Sequence, residues 1–360
     1  MRGFHSFREC IVSVGQISKV FGSSMCRMGG CTILASVTGK IVQQESPVLN
    51  PSDLISVDVK YTSQCAPSTE LNTPSKQSKC LLVSQHLSDL LTRSIVPESF
   101  VAFSPTTLAS GKSFPLYVMW DLSLQISILQ EDGSLLDVAL LAAMMALNDV
   151  TLPSLYLTRD PISSSYCAST KVDSSEDCIL ISKSSSLRFC AFPLSVTFGI
   201  ASIKDGPQIV VDPSLEEEDG VGMSTFSLIF NVANVSSHSS KSYFGLDFLD
   251  EPIFWLILKE GGIPIILSMD GDRNSSEAKT FSNTVVTLQT GQVIDVADPF
   301  NSKENAEKER LDQLAKSLHP QPAIVNKETI KIGRERIKAI INAIKNEELE
   351  EDESKMDIEK

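Results

Sequence analysis

Apolar and polar positions alternate in short segments along the first third of the chain. Residues 9–42 predict consecutive β-strands, with Gly22-Ser23-Ser24 interpreted as a turn. The segment Thr32–Ile41 is rich in small and β-branched residues, as is typical of a strand. Residues 79–95 instead repeat apolar side chains at helical spacing, which predicts an amphipathic helix.

The middle of the chain contains its most apolar segment. Leu135–Leu147 is apolar on nearly all sides, which predicts a helix buried between layers. Asn148-Asp149 and Pro153 mark its end, and Asp132-Gly133 predicts a turn before it. Short strands are predicted ahead of this helix at Val101–Phe103, Leu116–Met119 and Leu124–Ile128.

The second half repeats the order of strands followed by helices. Strands are predicted at 194–200, 208–211, 223–232, 253–258 and 263–267. Pro264 suggests that the last of these lies at a sheet edge. A helix is predicted at 281–296, and another where Ile330, Ile337, Ile341 and Ile344 recur. Strands and helices in this order favour an α+β fold.

Three segments differ in composition from the rest. Residues 159–189 are rich in serine and predict a surface loop or insertion around one short strand. Residues 301–346 predict a charged linker and a C-terminal helix. Residues 347–360 carry eight acidic and two basic side chains, which predicts a disordered tail.

Composition restricts the class of protein. Hydrophobic residues make up 42% of 360 residues, so a sizeable core can form and global disorder is excluded. The formal net charge of −14 argues against nucleic-acid binding through bulk charge. It leaves open RNA binding in a local basic channel, or in one lined mainly by partner subunits.

Cysteine and histidine spacing argues against a metal site. The eight cysteines form no C-x-x-C pair and the four histidines are scattered, so we expect reduced core thiols and no zinc or other cofactor. No secretory signal is evident, and Val138–Leu147 is too short to span a bilayer. These patterns predict a soluble intracellular protein without membrane contact.

Several local motifs have more than one interpretation. Glu216-Glu217-Glu218 fits a metal or acid/base cluster, but a solvated turn or an acidic interface patch is favoured. Arg93 fits an RNA contact or an ordinary surface arginine equally well. Ser110-Gly111-Lys112-Ser113 lacks the first glycine of a phosphate-binding loop. Asp270, Asp272 and Asn274 lack the later residues of a calcium loop.

Four motifs together resemble one family, the RNase PH-like subunits of the RNA exosome ring. The more specific two resemble the family's D-G-x-x-x-D-A-A helix start and the V-D-P-T-x-E-E-E signature of its archaeal second-type subunits. In order, the motifs are Arg2 to Arg8 (R-x-x-x-x-F-R), Gly15 to Thr32 (G-x6-G-S and G-x-T), Asp132 to Ala143, and Val211 to Glu218. The opening motif and the helix at 79–95 look most like the ribosomal-RNA-processing protein forty-three type.

The resemblance implies a fold and a set of structural residues. The fold is an RNase PH-like (ribosomal protein S5 domain 2-like) α+β unit over residues 1–300, with halves at 1–158 and 190–300. The family-signature positions fall on Arg2, Arg8, Gly133, Asp137, Asp212, Glu216, Glu217 and Glu218.

The same resemblance implies that catalysis is lost. In active relatives, an Asp a dozen residues past the strand-end Asp protonates the leaving 3′ oxygen, and that position falls on Ser224. The RNA-facing arginines fall on Asp89, Arg93 and Val96, so Arg93 alone matches. A carboxylate at a phosphate site is repulsive. No catalytic residue is therefore assigned, and the chain is not expected to be an enzyme.

The expected function is that of a scaffold in a hetero-oligomeric ring. Its expected partners are other RNase PH-like subunits in a six-membered ring, S1/KH cap subunits, a hydrolytic exonuclease and RNA threaded through the pore. The expected location is nucleus, nucleolus and cytoplasm. Two alternatives remain: an active phosphorolytic 3′–5′ exoribonuclease, and an unrelated acidic scaffold.

Overall fold

The chain divides into two compact units. The first unit comprises residues 9–193, 232–249 and 343–360, and the second comprises 1–8, 194–231 and 250–342. The computed structural model describes residues 7–44, 54–63, 65, 73–107, 113–114, 116–159, 166–170, 179–203, 206–220, 224–232, 254–260, 263–269, 286–287 and 327–358. Arg2 of the opening motif lies outside these residues.

A mixed sheet forms the centre of the first unit. Its strands follow the order β1-β2-β3-β8-β4, with β5 also paired to β8. All neighbours are antiparallel except β4 and β8. The strands are β1 (Cys10–Val14), β2 (Gly22–Met28), β3 (Cys31–Gln44), β4 (Ile55–Tyr61), β5 (Val101–Phe103) and β8 (Tyr117–Gln130).

The pairing of β3 with β8 explains the strongest strand signals. Both strands have 14 residues, and they pair from Thr32 to Gln44 and from Tyr117 to Gln130 with one register shift after Thr32. Side chains alternate between the two faces of the sheet along each strand. Ile33 and Leu124 lie on the buried face, whereas Thr38 and Gln125 lie on the other face and are exposed. Two separate strands were predicted at 116–119 and 124–128. That prediction was wrong, because continuous pairing with β3 extends β8 through Asp121.

Two helices cover the apolar face of this sheet. Helix α1 (Pro74–Ser94) begins five residues before the predicted start and packs on β4. Helix α2 (Leu135–Asn148) confirms the predicted buried helix. Nearly all of its side chains are buried, and it packs against β2 and β3.

Gly22 has a different role from the predicted one. Gly22-Ser23-Ser24 are the first residues of β2, so their prediction as a turn was wrong. A Cβ atom at Gly22 would lie 2.5 Å from the carbonyl oxygen of Ala146 in α2. The glycine therefore permits a close approach between strand and helix.

Short ribbons occupy the serine-rich region. A three-stranded antiparallel sheet has the order β11-β10-β12, and β9 pairs with β13. A single short strand was predicted within 159–189. The structure forms both β11 and β12 there, because backbone pairing with β10 orders segments whose composition favours a loop. The bounds are β6 (Thr106–Thr107), β7 (Ser113–Phe114), β9 (Thr151–Leu152), β10 (Leu155–Arg159), β11 (Tyr166–Ser169), β12 (Ile179–Ser182) and β13 (Ser185–Ser186).

A second six-stranded sheet forms the second unit, with the order β15-β14-β16-β17-β18-β19. Val286–Thr287 is a strand, so the helix predicted at 281–296 was wrong there, and its other residues lie outside the described ones. Pro264 was predicted to mark an edge strand, but β18 pairs on both sides. Because β19 meets β18 only at Ile265 and Ile266, Pro264 needs no donor on that side. The strands are β14 (Pro193–Ile203), β15 (Gly206–Val211), β16 (Ser224–Asn231), β17 (Phe254–Glu260), β18 (Ile263–Met269) and β19 (Val286–Thr287).

Among the described residues of the second half of the chain, two helices form: α3 (Leu215–Gly220) and α4 (Lys327–Ile358). Helix α4 buries Ile337 and Ile340, and Gly333 lies against the ring of Phe230. A disordered tail at 347–360 was predicted, but α4 continues to Ile358. Glutamate is a good helix former, and adding turns to an existing helix costs little.

The described residues agree with the predicted fold class, a mixed α+β arrangement. Within them, no helix combines the length and the apolar character needed to cross a membrane.

Candidate functional site

Asp212 of the V-D-P motif follows β15 in an uncommon backbone conformation. Its φ is +53°, in the left-handed region that asparagine and aspartate tolerate better than most residues. Its backbone N–H donates to the carbonyl oxygen of Thr197 at 2.8 Å. The residue is 1% exposed. This turn fixes the carboxylate inside the second unit.

Two buried arginines surround that carboxylate. The guanidinium of Arg8 pairs with Oδ1, and the backbone N–H of Arg8 donates to Oδ2 at 3.2 Å. Nη2 of Arg336 donates to Oδ2 at 3.1 Å. The side chains of Arg8 and Arg336 are 8% and 3% exposed. Since both oxygens of Asp212 accept from cations, this carboxylate acts as an anchor.

Arg336 extends the anchor to the C-terminal helix. Its Nη1 donates to the carbonyl oxygen of Arg8 at 2.6 Å, and its guanidinium lies 5.3 Å from the centre of the Phe7 ring. The first and fourth sequence motifs therefore meet at one ion cluster, and α4 completes it. Arg336 was not among the predicted site residues. Its position next to Ile337, on the apolar stripe of a predicted helix, indicates a buried cation that needs an acidic partner.

The acidic triplet begins α3. The side chain of Glu217 accepts from the backbone N–H of Ser214 at 2.9 Å, and the hydroxyl of Ser214 accepts from the backbone N–H of Glu217 at 3.4 Å. This reciprocal pair is a capping box, a motif that S-x-x-E predicts. Glu216 is exposed, and Glu218 is half-buried. Carboxylates in the first turn of a helix are stabilised by the positive end of the helix dipole, so the triplet has a structural role.

Replacing Ser214 by alanine is expected to cost about 1 kcal/mol of stability, because a backbone N–H of α3 loses its cap. Thermal denaturation measures the effect. The exposed substitution Glu216→Gln is the matched control and should change stability by less than about 0.5 kcal/mol. Equal melting temperatures for Ser214→Ala and the native chain would contradict the capping assignment.

In the first unit, the second and third motifs lie next to each other. The backbone N–H of Gly30 donates to Oδ2 of Asp132 at 3.1 Å. Gly133 has φ +70°, which a glycine adopts without strain. Asp137 is 4% exposed in the first turn of α2, and its N–H donates to the carbonyl of Ser134 at 3.1 Å. The predicted turn and helix-start roles of Gly133 and Asp137 agree with this geometry.

Helix α1 carries the positions aligned with RNA-facing arginines. Asp89 and Arg93 are both exposed. The carbonyl oxygen of Arg93 accepts from the thiol of Cys190 at 3.0 Å, which attaches the end of the helix to the segment before β14. Burial lowers the pKa of His86, while the negative charge of Asp89 opposes that shift. The exposed face of α1 thus carries one acidic and one basic group near its end.

A polar cluster at the start of α1 was missed by sequence analysis. Glu131 pairs with Lys79, and its Oε2 accepts from the Tyr61 hydroxyl at 2.8 Å. Burial, and then Glu131, raise the pKa of Tyr61, and burial is also the largest cause of the raised pKa of the Cys80 thiol. Both oxygens of Glu131 are occupied, so the cluster connects α1 to the end of β8.

Two candidates from the sequence remain, the acid position at Ser224 and a metal site. Ser224, at the position of the catalytic acid, is the first residue of β16, and its side chain lies outside the described ones. Across the described part of the chain, no group of three or more His, Cys, Asp or Glu side chains is arranged to hold a metal ion.

Comparisons with known proteins agree with the resemblance drawn from the motifs. Residues 6–153 match the model of the RNase_PH family, described as the 3′ exoribonuclease family, domain 1. The chain is 28% identical over 218 residues, 61% of its length and 69% of the relative's, to the exosome complex component Rrp42 of Methanothermobacter thermautotrophicus. It is 26% identical over 257 residues, 70% and 82% of the two chains, to that of Archaeoglobus fulgidus. A chain of a structure described as the archaeal exosome core is similar with a TM-score of 0.43 and 19% identity, covering 64% of this chain and 73% of that one.

Proposed function

Because this chain carries an RNase PH-type domain over residues 6–153, we propose that it is a non-catalytic subunit of an exosome-type ring that guides RNA to a separate 3′–5′ exoribonuclease. Its curated relatives are named as exosome components, which supports a place in such an assembly. The proposed partners are other RNase PH-like subunits, S1/KH cap subunits and a hydrolytic exonuclease. The forty-three type is the proposed subtype, acting in nucleus, nucleolus and cytoplasm.

The residue at the position of the family's catalytic acid, Ser224, supports a non-catalytic role most strongly. A general acid must offer a proton to the leaving oxygen. Asp212 accepts hydrogen bonds at both oxygens from Arg8 and Arg336, and is 1% exposed. Asp212 therefore anchors the two arginines, and it is not the residue from which acid catalysis would be expected. The aligned acid position is Ser224, and a serine hydroxyl is far too weak an acid near pH 7.

Asp89 supports the same conclusion from the first unit. It is exposed on α1, at a position where the family resemblance implies an arginine. A carboxylate there repels a phosphate nucleophile and an RNA phosphate alike. Arg93, one turn further along α1, is the proposed RNA contact that remains.

With single-stranded RNA and inorganic phosphate, the chain is expected to release no nucleoside diphosphate, because both the acid and the phosphate-binding arginine are replaced. Chromatography of the products measures this, with an active bacterial RNase PH as the positive control. Phosphate-dependent diphosphate release that Ser224→Ala abolishes would establish the active phosphorolytic enzyme instead.

Replacing Arg93 by glutamine is expected to weaken RNA binding several-fold. One phosphate contact is lost, so the salt dependence of log K should decrease in slope by about 0.7. Fluorescence anisotropy with a labelled oligouridine measures both quantities. Lys183→Gln removes one equally exposed charge and is expected to leave them unchanged. An effect of the same size in both variants would show that Arg93 acts only through its charge and makes no specific contact with RNA.

A further inference from the structure

Helix α4 carries a row of cations on one flank. Lys331, Arg334 and Lys338 are separated by three and four residues, which brings them onto the same side of a helix. Lys331 and Lys338 are exposed and Arg334 is half-exposed. We name these three residues the basic stripe. In the sequence, Lys345 follows seven residues after Lys338 and so repeats its helical position.

The basic stripe is separate from the face by which α4 packs. That face consists of Gly333, Ile337 and Ile340, all buried. Arg336, one of the two cations of the ion cluster, belongs to the buried face as well. The stripe is therefore distinct from the buried face described above, and Lys331 and Lys338 are exposed.

The charge of this segment is opposite to that of the chain. Residues 327–345 contain six basic and two acidic residues, whereas the whole chain has a net charge of −14. Glu335 is the acidic side chain beside the stripe. A concentration of positive charge in an acidic protein attracts a polyanion locally, over about one Debye length.

We propose that the basic stripe binds the phosphate backbone of single-stranded RNA. The identity of the polyanion rests on the proposed function. About one cation per helical turn of 5.4 Å forms a straight row, and a linear chain of phosphates can follow such a row. Arg334 can hold a phosphate with two parallel N–H bonds, and the lysines act as point charges. Contacts of this kind are independent of base sequence.

The test compares two variants of the full chain with equal net charge. The first is Lys331→Gln/Arg334→Gln/Lys338→Gln. The control is Lys19→Gln/Lys183→Gln/Arg188→Gln, which removes three exposed charges elsewhere. Binding of a labelled oligouridine is measured by anisotropy over a series of KCl concentrations. The stripe variant is expected to bind more than about tenfold more weakly, with a salt slope reduced by about 2. The control is expected to match the native chain.

Three further results would bear on the inference. Equal affinity and salt slope for the stripe variant and the native chain would overturn the inference, as would a native chain that binds no RNA. Loss of a co-purifying protein with unchanged RNA binding would assign the stripe to an acidic protein partner, and this also overturns it. If the triple variant unfolds, as judged by circular dichroism, Lys338→Gln replaces it with an expected slope change of about 0.7. Absence of ring subunits from the purified native chain counts against the proposed function, whatever the oligouridine result.

Discussion

Replacing Asp212 by asparagine is expected to destabilise the second unit by about 3 to 5 kcal/mol. The substitution keeps the shape of the side chain, and asparagine tolerates the φ of +53° at this position. What it removes is the negative charge between Arg8 and Arg336, which are both buried. Removing one partner of a buried ion pair leaves an uncompensated charge, and costs of this size are typical.

Hydrogen exchange of α4 and β15 measures the effect where it arises. A loss of about 3 to 5 kcal/mol corresponds to protection lower by roughly two to four orders of magnitude. Asp58→Asn is the matched control, since Asp58 pairs with Lys60 at the surface and its side chain is 46% exposed. Exposed pairs contribute about 1 kcal/mol or less. Similar losses in the two variants would contradict the anchoring role of Asp212.

Replacing Gly22 by alanine is expected to destabilise the first unit by about 3 kcal/mol. The added Cβ would lie 2.5 Å from the carbonyl oxygen of Ala146 and 2.7 Å from the backbone nitrogen of Val150. Both contacts are backbone atoms at the end of α2, so relief requires the helix to shift from the sheet. Overpacking of a core costs about 1 to 3 kcal/mol, and a backbone clash belongs at the upper end.

Thermal denaturation measures this effect, with an expected decrease in Tm of about 6 to 12 °C. Gly15→Asn is the control, because a Cβ at Gly15 meets nothing within 4 Å and asparagine tolerates its φ of +70°. An unchanged Tm for Gly22→Ala would show that α2 and β2 can separate at no cost.

Local patterns were sufficient for the elements whose burial is uniform along the chain. Leu135–Asn148 ends within one residue of its predicted limit, because a helix buried on all sides is apolar at every position. The strands from Cys10 to Gln44 were predicted from a different local pattern, the recurrence of β-branched and apolar residues along strands with one buried face. Gly22 shows where local reasoning fails: a glycine indicates either a turn or a close approach, and the approaching atom belongs to Ala146, 124 positions away.

Long-range contacts account for most of the rest. The sequence predicted Arg8 and Asp212 as separate signature positions and did not predict Arg336. The ion cluster that joins them could not be predicted, because its members are far apart in the chain. Strands β11 and β12 were missed since their order depends on pairing with β10. The capping box of Ser214 and Glu217 is the opposite case: its S-x-x-E pattern is local and was available from the sequence.

The central claim is that this chain is a subunit of an exosome-type ring. A tagged pull-down of the full chain at moderate salt, with mass spectrometry of its partners, tests it most directly. The account predicts recovery of other RNase PH-like subunits, of cap subunits with RNA-binding domains and of a hydrolytic exonuclease. Recovery of the chain alone or with unrelated proteins, from cells in which the ring is intact, would contradict the account.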